Sequence, residues 1–241
     1  MGCASLIVTD DLPTSKTVIL LIEGQNRRHI HTFGANAAFR AEHVTPSFLE
    51  GLDVFYLGGL FAMPGIDARA LANVLQYCRS KGIVTVVDVV ISEQFDRPQD
   101  IRAILSHIDF FLPNDDEAQK LTQCDDPMEQ VRTLRAWGAG TVILTRGGEG
   151  CLAAREDEVW QAGAYAFNAV DPSGGGDAFD AGVIAATLQG WDLPRILTYA
   201  SAIGGSATLA VGTTDAVWDQ KRAEAYVAGH PLEVVRVSQG G

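Results

Sequence analysis

The residues best suited to chemistry lie in Asp171-Pro172-Ser173-Gly174-Gly175-Gly176-Asp177, followed by Ala178-Phe179-Asp180-Ala181-Gly182. Three consecutive glycines let the backbone aim its amides at one point. The run 178–188 reads as a helix, whose N-terminus adds free N–H groups and a positive dipole end. That combination suits an anion such as phosphate. A carboxylate at Asp177 would repel the same anion, unless it is a general base that takes a proton from a hydroxyl as a phosphoryl group arrives. The other reading is a glycine-rich turn whose acidic residue only complements the helix dipole. No Gly-Lys-Ser/Thr follows, which excludes a P-loop, and the spacing after Gly176 excludes a dinucleotide fingerprint.

Other polar residues stand at the ends of apolar runs. Residues 108–112 read as a strand that runs into Asn114-Asp115-Asp116-Glu117. An amide and a carboxylate on one turn supply hard oxygen ligands, and the same string is also a helix N-cap with an acidic first turn. Residues 141–145 form another strand, ending in Thr145-Arg146-Gly147-Gly148-Glu149-Gly150. Such a loop lets backbone and hydroxyl approach phosphates closely, and by itself it is a common hairpin turn. Asp88 lies in the apolar run 83–91, where ligands of parallel sheets gather or where an Asp simply caps a turn. His29 and His31 share a strand face without a third ligand nearby and read as a surface pair.

The elements that must position these residues follow an α/β rhythm from Asp53 onward. Strands are expected at 54–57, 83–91, 108–112 and 141–145, with helices at 67–81, 99–107, 127–137, 193–211 and 218–228. The near-continuous apolar strands are those of a parallel sheet covered on both faces. Residues 151–154 and 158–165 read as hairpin strands, and the small-residue helix at 193–211 suits close packing. Earlier in the chain, Leu6-Ile7-Val8 reads as a short strand. Runs 17–22 and 27–33 read as a β-hairpin about a turn at 23–26. Residues 229–241 are expected to be a loose tail.

Asp171-x-x-Gly174-x-Gly176-Asp177 followed by Ala178-Phe179-x-Ala181-Gly182 resembles the C-terminal signature of ribokinase-like (PfkB) carbohydrate kinases. Asn114-x-x-Glu117 and Thr145-x-Gly147-x-x-Gly150 match further motifs of that family, in the family's order, within about residues 17–228. The departures are Pro172-Ser173 where Thr-x is usual and Gly175 where Ala is usual.

The resemblance implies a three-layer α/β/α fold with a mostly parallel sheet, in one domain over 1–241, and a hairpin segment at 6–36 like part of the family's lid. It implies ATP-dependent phosphorylation of a hydroxyl on a small sugar or sugar-like substrate. Asp177 would be the base, and Gly174, Gly175 and Gly176 the anion hole. Asn114, Glu117, Thr145, Gly147 and Gly150 would attend the nucleotide, with Mg²⁺ held through water by Asn114 and Glu117. Asp171 and Ser173 are candidate K⁺ ligands. Gly34 and Asn36, with Asp177, are candidate substrate contacts. Related kinases often pair through the lid, which implies a homodimer. Met1-Gly2-Cys3-Ala4-Ser5-Leu6 sits on an interior phrase of the family, so about seventy to eighty preceding residues are expected to be missing.

Composition bounds the alternatives. With 30 acidic against 18 basic residues, the net charge of −12 argues against nucleic acid and anionic membranes. No apolar run reaches the ~18 residues of a membrane span. Cys3, Cys78, Cys124 and Cys151 form no Cys-x-x-Cys pair, and the N-terminus lacks a basic region with an apolar core. A cytoplasmic location is therefore expected. Two other readings remain open: a catalytically impaired nucleotide-binding protein derived from such a kinase, and a fragment that associates through exposed edges.

Overall fold

The computed structural model describes residues 6–20, 28–91 and 98–237. Strands β1 (Lys16–Leu20) and β2 (Arg28–Thr32) form an antiparallel pair, from Lys16 opposite Thr32 to Leu20 opposite Arg28. The expected turn at 23–26 and the phrase at 1–5 lie outside the described residues. Leu6, Ile7 and Val8 form no strand and lie exposed. A one-turn helix α1 (Pro46–Leu49) then leads into the main sheet.

That sheet runs in chain order, β3 (Val54–Leu57), β4 (Val84–Val87), β5 (Phe110–Phe111), β6 (Thr141–Thr145), β7 (Cys151–Arg155), β8 (Glu158–Ala162) and β9 (Val234–Val237). It is parallel from β3 to β6 and antiparallel from β6 to β9. The helices are α2 (Ala68–Ser80), α3 (Pro98–Ile104), α4 (Asp115–Thr122), α5 (Pro127–Ala136), α6 (Gly175–Leu188), α7 (Leu193–Ala207) and α8 (Gln220–Gly229).

Strand alternation divides the apolar residues between two cores. Phe55, Leu57, Val87, Phe111, Val142 and Leu144 face α2, α3, α4 and α5. Val86, Phe110, Ile143, Cys151 and Ala153 face α6, α7 and α8. This is the expected three-layer α/β/α arrangement, and each fully buried Leu or Ile contributes about 1.5–3 kcal/mol.

Side-chain caps set most helix starts. Asp67, Asp126, Asp192 and Asp219 accept first-turn amides of α2, α5, α7 and α8. Between α6 and α7 the contact is backbone-close. A Cβ on Gly182 would lie 2.8 Å from Ala200 Cα, and one on Gly204 would lie 2.9 Å from the Gly175 carbonyl oxygen.

Two expectations need correction. Helix α6 begins at Gly175 rather than Ala178, because its packing on α7 outweighs the low helix propensity of glycine. Nor is all of 229–241 a loose tail. Val234–Val237 pairs with β8, and Arg236 reaches Glu158 at 2.9 Å.

Candidate active site

Four parallel strands end along one edge of the sheet, and polar residues singled out above lie at the ends of three of them. Gly58-Gly59 follows β3, Asp88 follows β4, Asn114 follows β5, and Thr145 closes β6. Ligands of open α/β sheets collect at such an edge. Two of the motifs meet there directly. Asn114 and Thr145 form a parallel bridge, and the Thr145 amide donates to the Pro113 carbonyl at 3.1 Å.

Asn114 and Glu117 are also a true helix cap. The Glu117 amide donates to Asn114 Oδ1 at 2.9 Å, and the Asn114 amide donates to Glu117 Oε2 at 3.0 Å. Burial pushes the Glu117 carboxyl up to about 8, opposed by the Asn114 amide and pushed further by Asp88. Lys120, one turn on, opposes the rise and donates to the Ile91 carbonyl at 3.3 Å. Asp88 accepts the Gly59 amide at 3.2 Å. Burial lifts its carboxyl to about 7 against the pull of the Gly59 and Val89 amides, and Asp177 adds to the rise.

In the loop after β6, Gly150 has φ +84°, and a Cβ there would fall 2.0 Å from the Ala162 carbonyl oxygen. Gly147 has open space about it, and Arg146 pairs with Glu149 across the turn.

The glycine motif is built differently. Gly174 is left-handed at φ +79°, and a Cβ would fall 2.4 Å from the Thr213 carbonyl oxygen. No side chain caps α6, so Gly175, Gly176 and Asp177 form its first turn with helix-start amides. The Gly175 amide makes only a long contact, 3.4 Å, to the Pro172 carbonyl. Around Gly176 the space is open, and Asp177 is exposed. Asp171 is buried and accepts the amides of Ser173 at 2.9 Å and Gly212 at 3.2 Å. It thereby ties the motif to the turn after α7. Ser173 Oγ is buried without a partner.

Gly34 and Asn36 are held locally. A Cβ on Gly34 would meet the Pro13 carbonyl oxygen at 2.2 Å, and Asn36 bonds through its backbone with Phe33 and Phe39. His31 bonds Thr17 Oγ1 at 2.8 Å. Two residues at the edge were not singled out from the sequence. The Tyr56 hydroxyl donates to Asp180 Oδ2 at 2.9 Å, joining β3 to α6. The signal was an acid three residues beyond Asp177 within an apolar helix.

Among the described residues no group of three or more His, Cys, Asp or Glu side chains is arranged to hold a metal, and no helix is long and apolar enough to cross a membrane.

Comparison with known proteins identifies the family. The profile for "pfkB family carbohydrate kinase" matches residues 2–220. A cytidine kinase of Thermococcus kodakarensis is 29% identical over 54% of this chain, and the chain spans only 48% of that relative. Fructoselysine 6-kinase of Shigella flexneri is 26% identical, with 83% of this chain and 80% of the relative covered. A candidate ribokinase II from E. coli, in complex with ATP and Mg²⁺, superposes with a TM-score of 0.73 at 25% identity, covering 85% of this chain and 68% of that one.

Proposed function

This chain belongs to the pfkB family of carbohydrate kinases, and from that premise we propose that it phosphorylates a hydroxyl of a small sugar or sugar-like substrate with ATP. The observation that carries the reading is an exposed carboxylate, Asp177, in the first turn of a helix that no side chain caps. Asp177 takes the hydroxyl proton as the oxygen attacks the γ-phosphorus. The new O–P bond forms while the bond to the β–γ bridging oxygen breaks, and ADP leaves with that oxygen. The amides of Gly175, Gly176 and Asp177, set by the left-handed Gly174, stabilise charge on the group in transfer. Thr145, Gly147 and Gly150 attend the nucleotide phosphates from the neighbouring loop.

The donor set fits Mg²⁺ held mainly through its waters, since Asn114 and Glu117 offer an amide and a half-buried carboxyl at the same edge. When bound, Mg²⁺ neutralises phosphate charge. The orphaned Ser173 Oγ beside Asp171 fits a monovalent cation such as K⁺. We also assign the β1–β2 hairpin to pairing with a second copy, because Val18, Ile19, Leu20 and Ile30 are all exposed on it. Gly34 and Asn36 remain the proposed contacts to substrate from that side.

The test is Asp177→Asn, assayed for ADP release over a panel of sugars and nucleosides and for thermal stabilisation by Mg·ATP. Turnover should fall about 10²–10⁴-fold with the stabilisation retained. Full turnover would remove Asp177 from the role of base. Stabilisation by ATP without product from the unmodified chain would favour the non-catalytic nucleotide-binding reading.

A further inference from the structure

Asp180 takes no part in the mechanism above, yet it lies one turn beyond Asp177 on the same face of α6. It is only 4% exposed, whereas Asp177 is exposed. Its hydrogen bond runs to Tyr56 of β3, 124 residues away in sequence. No Lys or Arg pairs with it among the described residues. An ionised carboxylate buried without a cation is costly, and such a group keeps its proton instead.

The neighbours act in the same sense. Tyr56 faces Asp180 from β3, Asp88 from the end of β4, Glu117 from α4 and Asp177 from its own helix. From α7, Ala200 and Ile203 lie against Gly182, and Gly204 lies against Gly175 and Phe179, and none of these three α7 residues is titratable. Burial holds the Asp180 carboxyl well above the ordinary range, Asp88 adds to the rise, and the Tyr56 hydrogen bond opposes it. Tyr56 is itself seated closely, since a Cβ on Gly58 would lie 2.8 Å from its hydroxyl oxygen.

We infer that Asp180 is a positioning residue for the transfer: a proton-bearing carboxyl, joined to Tyr56, that braces the first turns of α6 against β3 and leaves the ground behind Asp177 uncharged. An incoming phosphoryl group then meets one carboxylate on this helix face rather than two. The inference rests on the reading of Asp177 as the base. It assigns Asp180 no contact with substrate.

The experiment follows aspartate carboxyl carbons by ¹³C NMR from pH 4 to 10 in the full chain and in D180N and Y56F. A companion pH profile of kcat/KM, with ATP and a panel of sugar and nucleoside acceptors, adds D180A. In the unmodified chain two aspartates should titrate high, Asp88 at about 7 and Asp180 above the ordinary range. D180N should lose the second, and Y56F should move it upward, because the hydroxyl that favours the ionised form is gone.

Turnover should decline as pH rises through the range in which Asp180 ionises, above the ordinary carboxyl range. D180A should lose about tenfold or more, while D180N should recover most of that loss and lack that decline. Failure to form ADP from any acceptor would count against the kinase reading and would leave the titration readable. An Asp180 that titrates in the ordinary range overturns the inference, as does a D180N profile that keeps the decline. Should D180N not fold, a Y56F protein in which neither high-titrating aspartate moves overturns it as well.

Discussion

At the edge where the parallel strands end, α4 begins with its Glu117 amide engaged by the Asn114 side chain, whereas α6 begins on Gly174 with no side-chain cap. Asp residues cap α2, α5, α7 and α8 in the manner of α4. Helix α6 is therefore the exception among these helices. The start of α4 is closed, because a cap engages it and its acidic first turn repels anions. The uncapped start keeps donors free at the cost of local stability, and Asp177 is the one acid in its first turn. The Asn114–Glu117 motif thus does structural work first, and its place beside Thr145 is what brings it to the edge.

The contrast can be broken at either helix. Gly174→Ala should have the largest effect, since the left-handed backbone and the 2.4 Å approach of the Thr213 carbonyl oxygen leave no room for a methyl. Stability should fall by about 1–3 kcal/mol, read by urea denaturation, and turnover should fall with it. Loss of turnover without loss of stability would mean that Gly174 acts only on the anion. Asn114→Ala should remove the α4 cap at about 1 kcal/mol, seen as a fall in Tm of roughly 2–4 °C. An unchanged Tm would show the capping box to be energetically idle. Gly176→Ala should sharpen the comparison, because nothing lies within 4 Å of the new methyl. Its stability should hold or rise slightly while the KM for ATP increases; an unchanged KM would place the anion elsewhere.

A further expectation concerns pH. Unfolded carboxyls release their protons near pH 4, while folded Asp88 and Glu117 hold theirs to about 7 and about 8. Between these limits the folded state binds more protons, so the metal-free protein should lose stability as pH rises from about 4 to 8. Asp88→Asn should flatten the slope, which denaturation at pH 5 and pH 8 would reveal. A stability that rises over this range would contradict the burial of both groups.

The strands β3 to β6 were legible in the sequence because a sheet covered on both faces demands continuous apolar runs. The polar residue after each run marked the edge. What could not be read depended on distant neighbours. Gly175 looks like a helix breaker until α7 lies against it, and the Val234–Val237 run is unremarkable until β8 provides a partner. Tyr56 and Asp180 sit within apolar strings, and only the fold brings the hydroxyl to the carboxyl. No local pattern encodes a pair so far apart.

The seam between α6 and α7 also limits how the protein can be engineered for heat resistance. Exchanging glycine for alanine in a helix commonly stabilises by about 0.4–1 kcal/mol through the unfolded chain. Gly182 and Gly204 are closed to that approach, because the facing Ala200 Cα and Gly175 carbonyl oxygen stand within 3 Å of any added carbon. Gly229, the last residue of α8, has nothing within 4 Å. A thermostabilised variant would therefore begin at the far helix and leave the α6–α7 seam as it is.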